Sequence, residues 1–148
     1  MSFEPDDDQR ELVSLVRGVL AQRADTAATR RALESAARHD VELWRMLCEE
    51  VGIAGMAIPE EFGGAGFTLR EAQLVLEEIG YSLAPSPYLG SVAIAAQAVL
   101  AGGDADACAR LLPGISDGAS SAALVWADPT GRFAPASTAC AAMATEPR

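Results

Sequence analysis

The chain contains no lysine: all 11 basic residues are arginines, set against 21 acidic ones, for a formal net charge of −10. Apart from Arg30-Arg31 there is no basic cluster, so binding to a nucleic acid backbone is disfavoured. The acidic surplus bears on solubility, not on fold. There is one histidine, His39, and the three cysteines, Cys48, Cys108 and Cys140, stand far apart without paired ligand spacing. Neither a zinc site nor a disulfide framework is supported, no metal is expected, and a reducing cytoplasm fits best. Cys48 and Cys108 are read as small core residues on helices. Export through a signal peptide is not expected, because Met1 to Gln9 is acidic where such a leader is basic and then apolar. No membrane span is expected either: the apolar stretch Leu89 to Leu100 stops at Gly102-Gly103, short of the roughly 20 residues a spanning helix needs.

What is present is a chain of 148 residues, half of them apolar. That length suits one domain burying about 68 to 70% of its unfolded surface. Pro5 and the three aspartates after it open a first helix, whose apolar face is Leu12, Leu15, Val16, Val19 and Leu20 and which ends near Gln22. A more polar helix is expected from Thr26 to Arg38, then one from Val41 to Val51 with Asp40 as its cap and Leu43, Leu47 and Val51 on one face. Gly52 stands where a left-handed residue ends a helix. Thr68 with Glu71 forms a capping box, opening a helix whose stripe is Ala72, Val75, Leu76 and Ile79 and which Gly80 is expected to terminate. Pro85 and Pro87 break the chain before a helix from Leu89 to Ala101. A short helix from Asp104 to Leu112 is expected to end at Pro113-Gly114. Between the third and fourth helices, Ile53 to Ile58 is apolar enough to be buried but is interrupted too closely by Gly55 and Pro59 for a long element. It reads as a short extended or turn segment pressed between helices.

The pattern is that of an all-α helical bundle of about five to six helices with an irregular C-terminal tail. After Gly118 the composition changes: Ala122 to Trp126 is a candidate strand, and Ala127 to Arg148 is alanine-rich and without helical period.

The run from Trp44 to Gly52, then Ile53, Gly55, Pro59-Glu60-Glu61-Phe62-Gly63-Gly64, Gly66 and Glu77-Glu78-Ile79-Gly80, resembles the N-terminal helical domain of acyl-CoA dehydrogenases. Ala84-Pro85-Ser86-Pro87-Tyr88-Leu89 and the small-residue helix behind it extend the likeness over most of residues 10 to 126. The resemblance implies a division into a helical domain, residues 1–118, and the lead-in to a truncated middle β-domain, residues 119–148. Gly131-Arg132-Phe133 and Thr138 to Ala142 would supply that lead-in and its first strand.

The family chemistry so implied is α,β-desaturation of an acyl-CoA thioester, in which a glutamate removes the α-proton and the β-hydrogen leaves as hydride to a flavin. The base and the main FAD contacts belong to the family's later domains, so the resemblance assigns this chain no catalytic or cofactor-binding residue. It implies FAD for the complete enzyme, an acyl-CoA substrate, and homo-oligomeric or hetero-oligomeric packing. The helix matching Leu89 to Leu100 walls the acyl end of the pocket in the family, which points to Tyr88, Leu89, Val92 and Ala93 as pocket-lining positions; they would equally suit the bundle core. Ser91, Ala93, Ala95 and Ala96 leave room either for an acyl group or for a close helix. Two other readings stay open: a non-catalytic helical subunit or scaffold pairing with a dehydrogenase-like chain, and part of a flavin monooxygenase of the same superfamily. The Pro-Glu-Glu-Phe-Gly-Gly run leans towards the dehydrogenases.

Other features call for no ligand. Gly63-Gly64-Ala65-Gly66 has no strand before it and no Lys-Ser/Thr after it, so it reads as a turn, not a phosphate loop. Glu60-Glu61 and Glu77-Glu78 are neighbours in sequence, but successive helical residues point about 100° apart. They suit solvated faces or links to arginine. His39 beside Asp40 reads as a capping or surface residue, and Trp44 as core.

Overall fold

The structure is a computed structural model and describes residues 4–127 and Gly131. Six helices account for most of it: α1 (Asp7–Arg23), α2 (Thr26–Glu34), α3 (Val41–Met46), α4 (Leu69–Ser82), α5 (Gln97–Gly102) and α6 (Ala105–Ser116). Two stretches of wider, π-helical turns extend this set, Leu47–Val51 directly after α3 and Leu89–Ala96 directly before α5. Among the described residues there is no strand, and no helix is long and apolar enough to cross a membrane.

The helix starts obey local chemistry. Asp6 accepts from the Gln9 amide while the Gln9 side chain accepts from the Asp6 amide, a capping box that satisfies two otherwise orphan donors. Thr68 and Glu71 repeat this at α4, and Asp25, Asp40 and Asp104 cap α2, α3 and α6 singly. Gly52 ends the α3 run at φ +72°, as its position requires.

Helix ends depart from expectation in three places. α2 stops at Glu34, because Ser35 turns extended and its hydroxyl donates to Ala32 O; Arg38 then takes φ +59°, its guanidinium donating to Leu33 O. α4 runs through Gly80 to Ser82, and Leu83 takes the left-handed position at φ +54°. The Leu83 and Ala84 amides donate to Gly80 O and Ile79 O, and Ala84 is buried, so the packing of the residues beyond carries the helix one half-turn further. α6 passes through Pro113 to Ser116, since Leu112 and Ile115 on either side of the proline are buried and only one helical donor is lost.

The core is a single cluster. α1 lies along α4, placing Val16 and Leu20 with Val75 and Ile79, while Leu43, Trp44 and Leu47 close it from α3 and Leu112 and Ile115 from α6. Of the predicted stripe residues, Leu15 stays 51% exposed, so the apolar face of α1 is narrower than its sequence suggests. The connector Ile53–Ile58 is buried throughout, as its composition predicts, and forms a short turn at Ile53–Gly55. Each large aliphatic side chain fully buried here contributes roughly 1.5–3 kcal/mol.

The predicted strand at Ala122 to Trp126 is not formed: these residues are irregular, with no neighbouring strand among the described residues to pair with. The expected lead-in around Phe133 and Thr138 to Ala142 lies outside the described residues.

Candidate functional site

The four positions expected to line a pocket lie at the start of the Leu89–Ala96 run, where the helix is wide. The structure divides them. Tyr88 and Val92 are fully buried; the Tyr88 hydroxyl donates to Ala72 O of α4 at 3.2 Å, and burial raises the phenol above its ordinary pKa. Leu89 is 52% exposed and Ala93 is half-buried, so this pair sits at the surface of the described unit. Four-residue spacing explains the division: 88 with 92 and 89 with 93 fall on two successive flanks of the helix. Tyr88 and Val92 hold the helix on the core, and Leu89 and Ala93 are left partly exposed.

One residue of this run was singled out in the sequence only for its size. Ser91 is 1% exposed, and its hydroxyl bonds to both polar atoms of Ala122, at the start of the outgoing segment. A lone hydroxyl inside Leu-Gly-Ser-Val-Ala-Ile-Ala-Ala was the available signal: a buried polar group needs a partner, and this one lies across the fold.

The glycine turn is closed to ligands. Its amides are all used internally: Gly63 N donates to Glu60 O, Gly64 N to Pro59 O, Ala65 N to Gly55 O and Gly66 N to Ile58 O. A Cβ on Gly64 would stand 1.9 Å from Ile58 O, and Ser116 on α6 donates to Gly63 O. With no free amide to offer a phosphate, this turn is not a phosphate cradle.

Several other titratable groups are engaged within the fold. Glu77 is exposed and Glu78 buried, so the pair shares no proton; Glu78 instead takes a bidentate contact from Arg17, at 2.7 and 2.8 Å. His39 Nδ1 lies 2.8 Å from Ala37 O at the turn before α3. Trp44 is core, its indole N–H donating to Gly118 O. Cys108 is buried, whereas Cys48 is half-buried, its thiol pushed up to about 12 by desolvation. At that value it remains a thiol at neutral pH and is a poor nucleophile.

Two grooves lie away from Leu89 and Ala93. One of about 330 Å³ runs between the starts of α1 and α4, over Leu12, Leu15, Val51, Met56 and Phe67. Another of about 470 Å³ flanks Trp44, Cys48 and Gly118. Neither is lined by any of the four candidates.

Comparison with known proteins places this architecture. The family model described as acyl-CoA dehydrogenase, N-terminal domain, matches residues 6–119. The chain is 42% identical over 121 residues to acyl-CoA dehydrogenase IpdE2 of Mycobacterium tuberculosis, covering 82% of this chain and 37% of that protein. It is 48% identical over 85 residues to IpdE2 of Mycolicibacterium smegmatis, covering 57% of this chain and 27% of the relative. Among solved structures, the ChsE4-ChsE5 complex from Mycobacterium tuberculosis aligns with a TM-score of 0.79 at 30% identity, over 89% of this chain and 36% of the other. A variant of the Tcur3481-Tcur3483 steroid ACAD aligns with a TM-score of 0.75 at 33% identity, over 83% of this chain and 33% of the other. The chain thus spans about a third of the length of the relatives it matches.

Proposed function

Because the chain belongs to the acyl-CoA dehydrogenase family through its N-terminal helical domain, we propose that it serves as the N-terminal part of a flavin-dependent acyl-CoA dehydrogenase. It contributes packing and one wall of the acyl pocket to an α,β-desaturation of an acyl-CoA thioester, and it is inactive alone. Residues 1–118 are the helical domain and 119–148 lead into the rest. The observation that carries this reading is the family match over residues 6–119, with Leu89 and Ala93 left partly exposed on the helical run that holds the outgoing segment through Ser91.

Leu89 and Ala93 are the positions assigned to acyl contact. Tyr88 and Val92 set their height above the core and act on the pocket through that support. FAD, when bound in the complete assembly, would supply the hydride acceptor, and the role proposed for this chain is to orient the acyl group and to exclude water. The substrate class proposed is a sterol-derived acyl-CoA, supported by the steroid ACAD among the structural relatives. The assembly proposed is hetero-oligomeric, supported by the two-component composition of the ChsE4-ChsE5 relative. The same observation favours a second reading, in which the chain is a non-catalytic subunit of such a pair. The compartment proposed is the cytoplasm.

The test is visible absorbance of the purified chain, before and after mixing with excess FAD and a saturated acyl-CoA, and then of a flavin-loaded assembly containing it. The chain alone is expected to bind no flavin and to show no bleaching, and the assembly to bleach on addition of substrate. Flavin binding with bleaching by the chain alone overturns the division of labour. An assembly that leaves every acyl-CoA untouched overturns the dehydrogenase reading in favour of the non-catalytic subunit.

A further inference from the structure

The Ser91 hydroxyl makes a contact that sequence spacing does not explain. A serine inside a helix usually bonds back to its own preceding turn. Ser91 instead accepts from Ala122 N at 2.8 Å and donates to Ala122 O at 3.0 Å, across 31 residues of sequence. One hydroxyl therefore saturates both backbone groups of one residue, the service that a paired strand residue would perform in a ladder. Its neighbour Gly90 also lies near the segment: a Cβ there would stand 3.7 Å from Ala122 O, an ordinary van der Waals contact.

The approach to Ala122 is held as well. Gly118 O accepts from the Trp44 indole, Ala119 N donates to the Asp117 carboxylate, and Ser120 N donates to Gly114 O at 2.7 Å. The Gly114 position leaves space for this, since a Cβ there would be 2.9 Å from Ser120 Oγ. Beyond the clamp the character changes at once: Leu124, Val125 and Trp126 are 45%, 67% and 52% exposed. The chain is thus fastened to the bundle up to Ala122, and fastened there to the helical run that carries Leu89 and Ala93.

We propose that Ser91 is a positioning residue, a hydroxyl clamp that fixes where Leu124, Val125 and Trp126 leave the bundle relative to Leu89 and Ala93. The inference rests on the acyl-wall reading above for its consequence, though not for the clamp itself. With the clamp closed, the acyl-facing wall and the first residues of the outgoing chain are one rigid unit. With it open, the wall keeps its shape but the chain that follows loses its starting point.

The test uses amide hydrogen exchange on the whole chain. Ser91→Ala is expected to speed exchange at Ala122 about tenfold, the effect of losing a hydrogen bond worth roughly 1.4 kcal/mol, with the amides of Val75 and Ile79 in α4 unchanged. Ser91→Thr retains the hydroxyl and is expected to restore protection. Unchanged exchange at Ala122 in Ser91→Ala overturns the clamp, and so does an equal rise at Ala122 and in α4, which would mean general loosening. In a flavin-loaded assembly, Ser91→Ala is expected to raise KM for the acyl-CoA several-fold with kcat little changed, and Ser91→Thr to return it. A faster Ala122 amide without any KM change overturns the positioning role. An assembly inert with the natural serine sinks the dehydrogenase reading alone, and the exchange result still decides the clamp.

Discussion

The connector Ile53–Gly66 and the segment Ala119–Trp126 both follow a glycine in the left-handed conformation, Gly52 at φ +72° and Gly118 at φ +76°, and both leave regular helix there. Their fates differ. In the connector Ile53, Ala54 and Ile58 are fully buried, and its backbone closes on itself and on Ser116. In the outgoing segment an equally apolar triplet, Leu124-Val125-Trp126, faces solvent, and the chain before it is held by a few side-chain and backbone contacts. Apolar composition alone therefore does not decide burial. The connector has α3 before it, α4 after it and α6 across it, so the side chains of Ile53 to Ile58 find walls; the segment has the bundle on one side only.

This contrast is broken most strongly at Gly64. A methyl group there would meet Ile58 O at 1.9 Å and Gly55 O at 2.7 Å, so Gly64→Ala forces the connector's own backbone apart. The expected loss is about 3 kcal/mol or more, seen as a large fall in the urea midpoint, whereas Gly102→Ala, with open space around it, should change it little. Equal midpoints for the two variants would mean that the connector is not the rigid element.

Leu112→Ala tests the shared wall, because Leu112 is fully buried on α6 among the residues the connector packs against. A loss of about 2–5 kcal/mol is expected in chemical unfolding. The corresponding change in the outgoing segment, Val125→Ala, should cost less than about 0.5 kcal/mol while that side chain is exposed. If the chain joins a partner that covers the segment, Val125→Ala gains a cost only in the assembly.

Smaller effects sharpen the picture at helix ends. Leu83 holds φ +54° with its side chain 76% exposed, so Leu83→Gly relieves strain and sacrifices little burial. It should stabilise the isolated chain by up to about 1 kcal/mol, read as a higher thermal midpoint. A lower midpoint would show that the leucine side chain is already covered in solution.

The weakest expected effect is one of pH. Burial acts to raise the Glu71 carboxyl, but hydrogen bonds from Thr68 and Gln9 and from the backbone outweigh it and hold the group below its ordinary value of 4.5. A carboxylate with a depressed folded pKa adds stability that is complete above the unfolded value and is lost as pH falls through the folded one. The wild-type chain should thus be more stable than Glu71→Gln at pH 6 to 7, and the gap should close below about pH 4.5. A gap that persists at pH 3 would assign the effect to packing.

Much of the fold was legible from residues alone, because helix starts are written locally. Asp40, Thr68 with Glu71, and Asp104 all sit as caps where their side chains reach orphan amides within three residues. Helix ends were less legible. Gly80 and Pro113 carry stop chemistry, yet burial of Ile79 and Ala84 around the one, and of Leu112 and Ile115 around the other, exceeds the modest local cost. The site divides in the same way. Four positions at the start of a small-residue helix were readable as a group, but which of them face in was not, since that depends on how the wide Leu89–Ala96 turns sit against α4.

The sequence by itself determined the family, the all-α character, the caps and the buried connector, because each rests on interactions within a few residues or on a motif of fixed spacing. Only the tertiary structure decided that Tyr88 and Val92 point to the core while Leu89 and Ala93 do not, that Glu78 pairs with Arg17, and that Ser91 holds Ala122. Those outcomes join residues far apart in the chain, and a side chain's partner across such a distance is set by how helices pack, which no local pattern records.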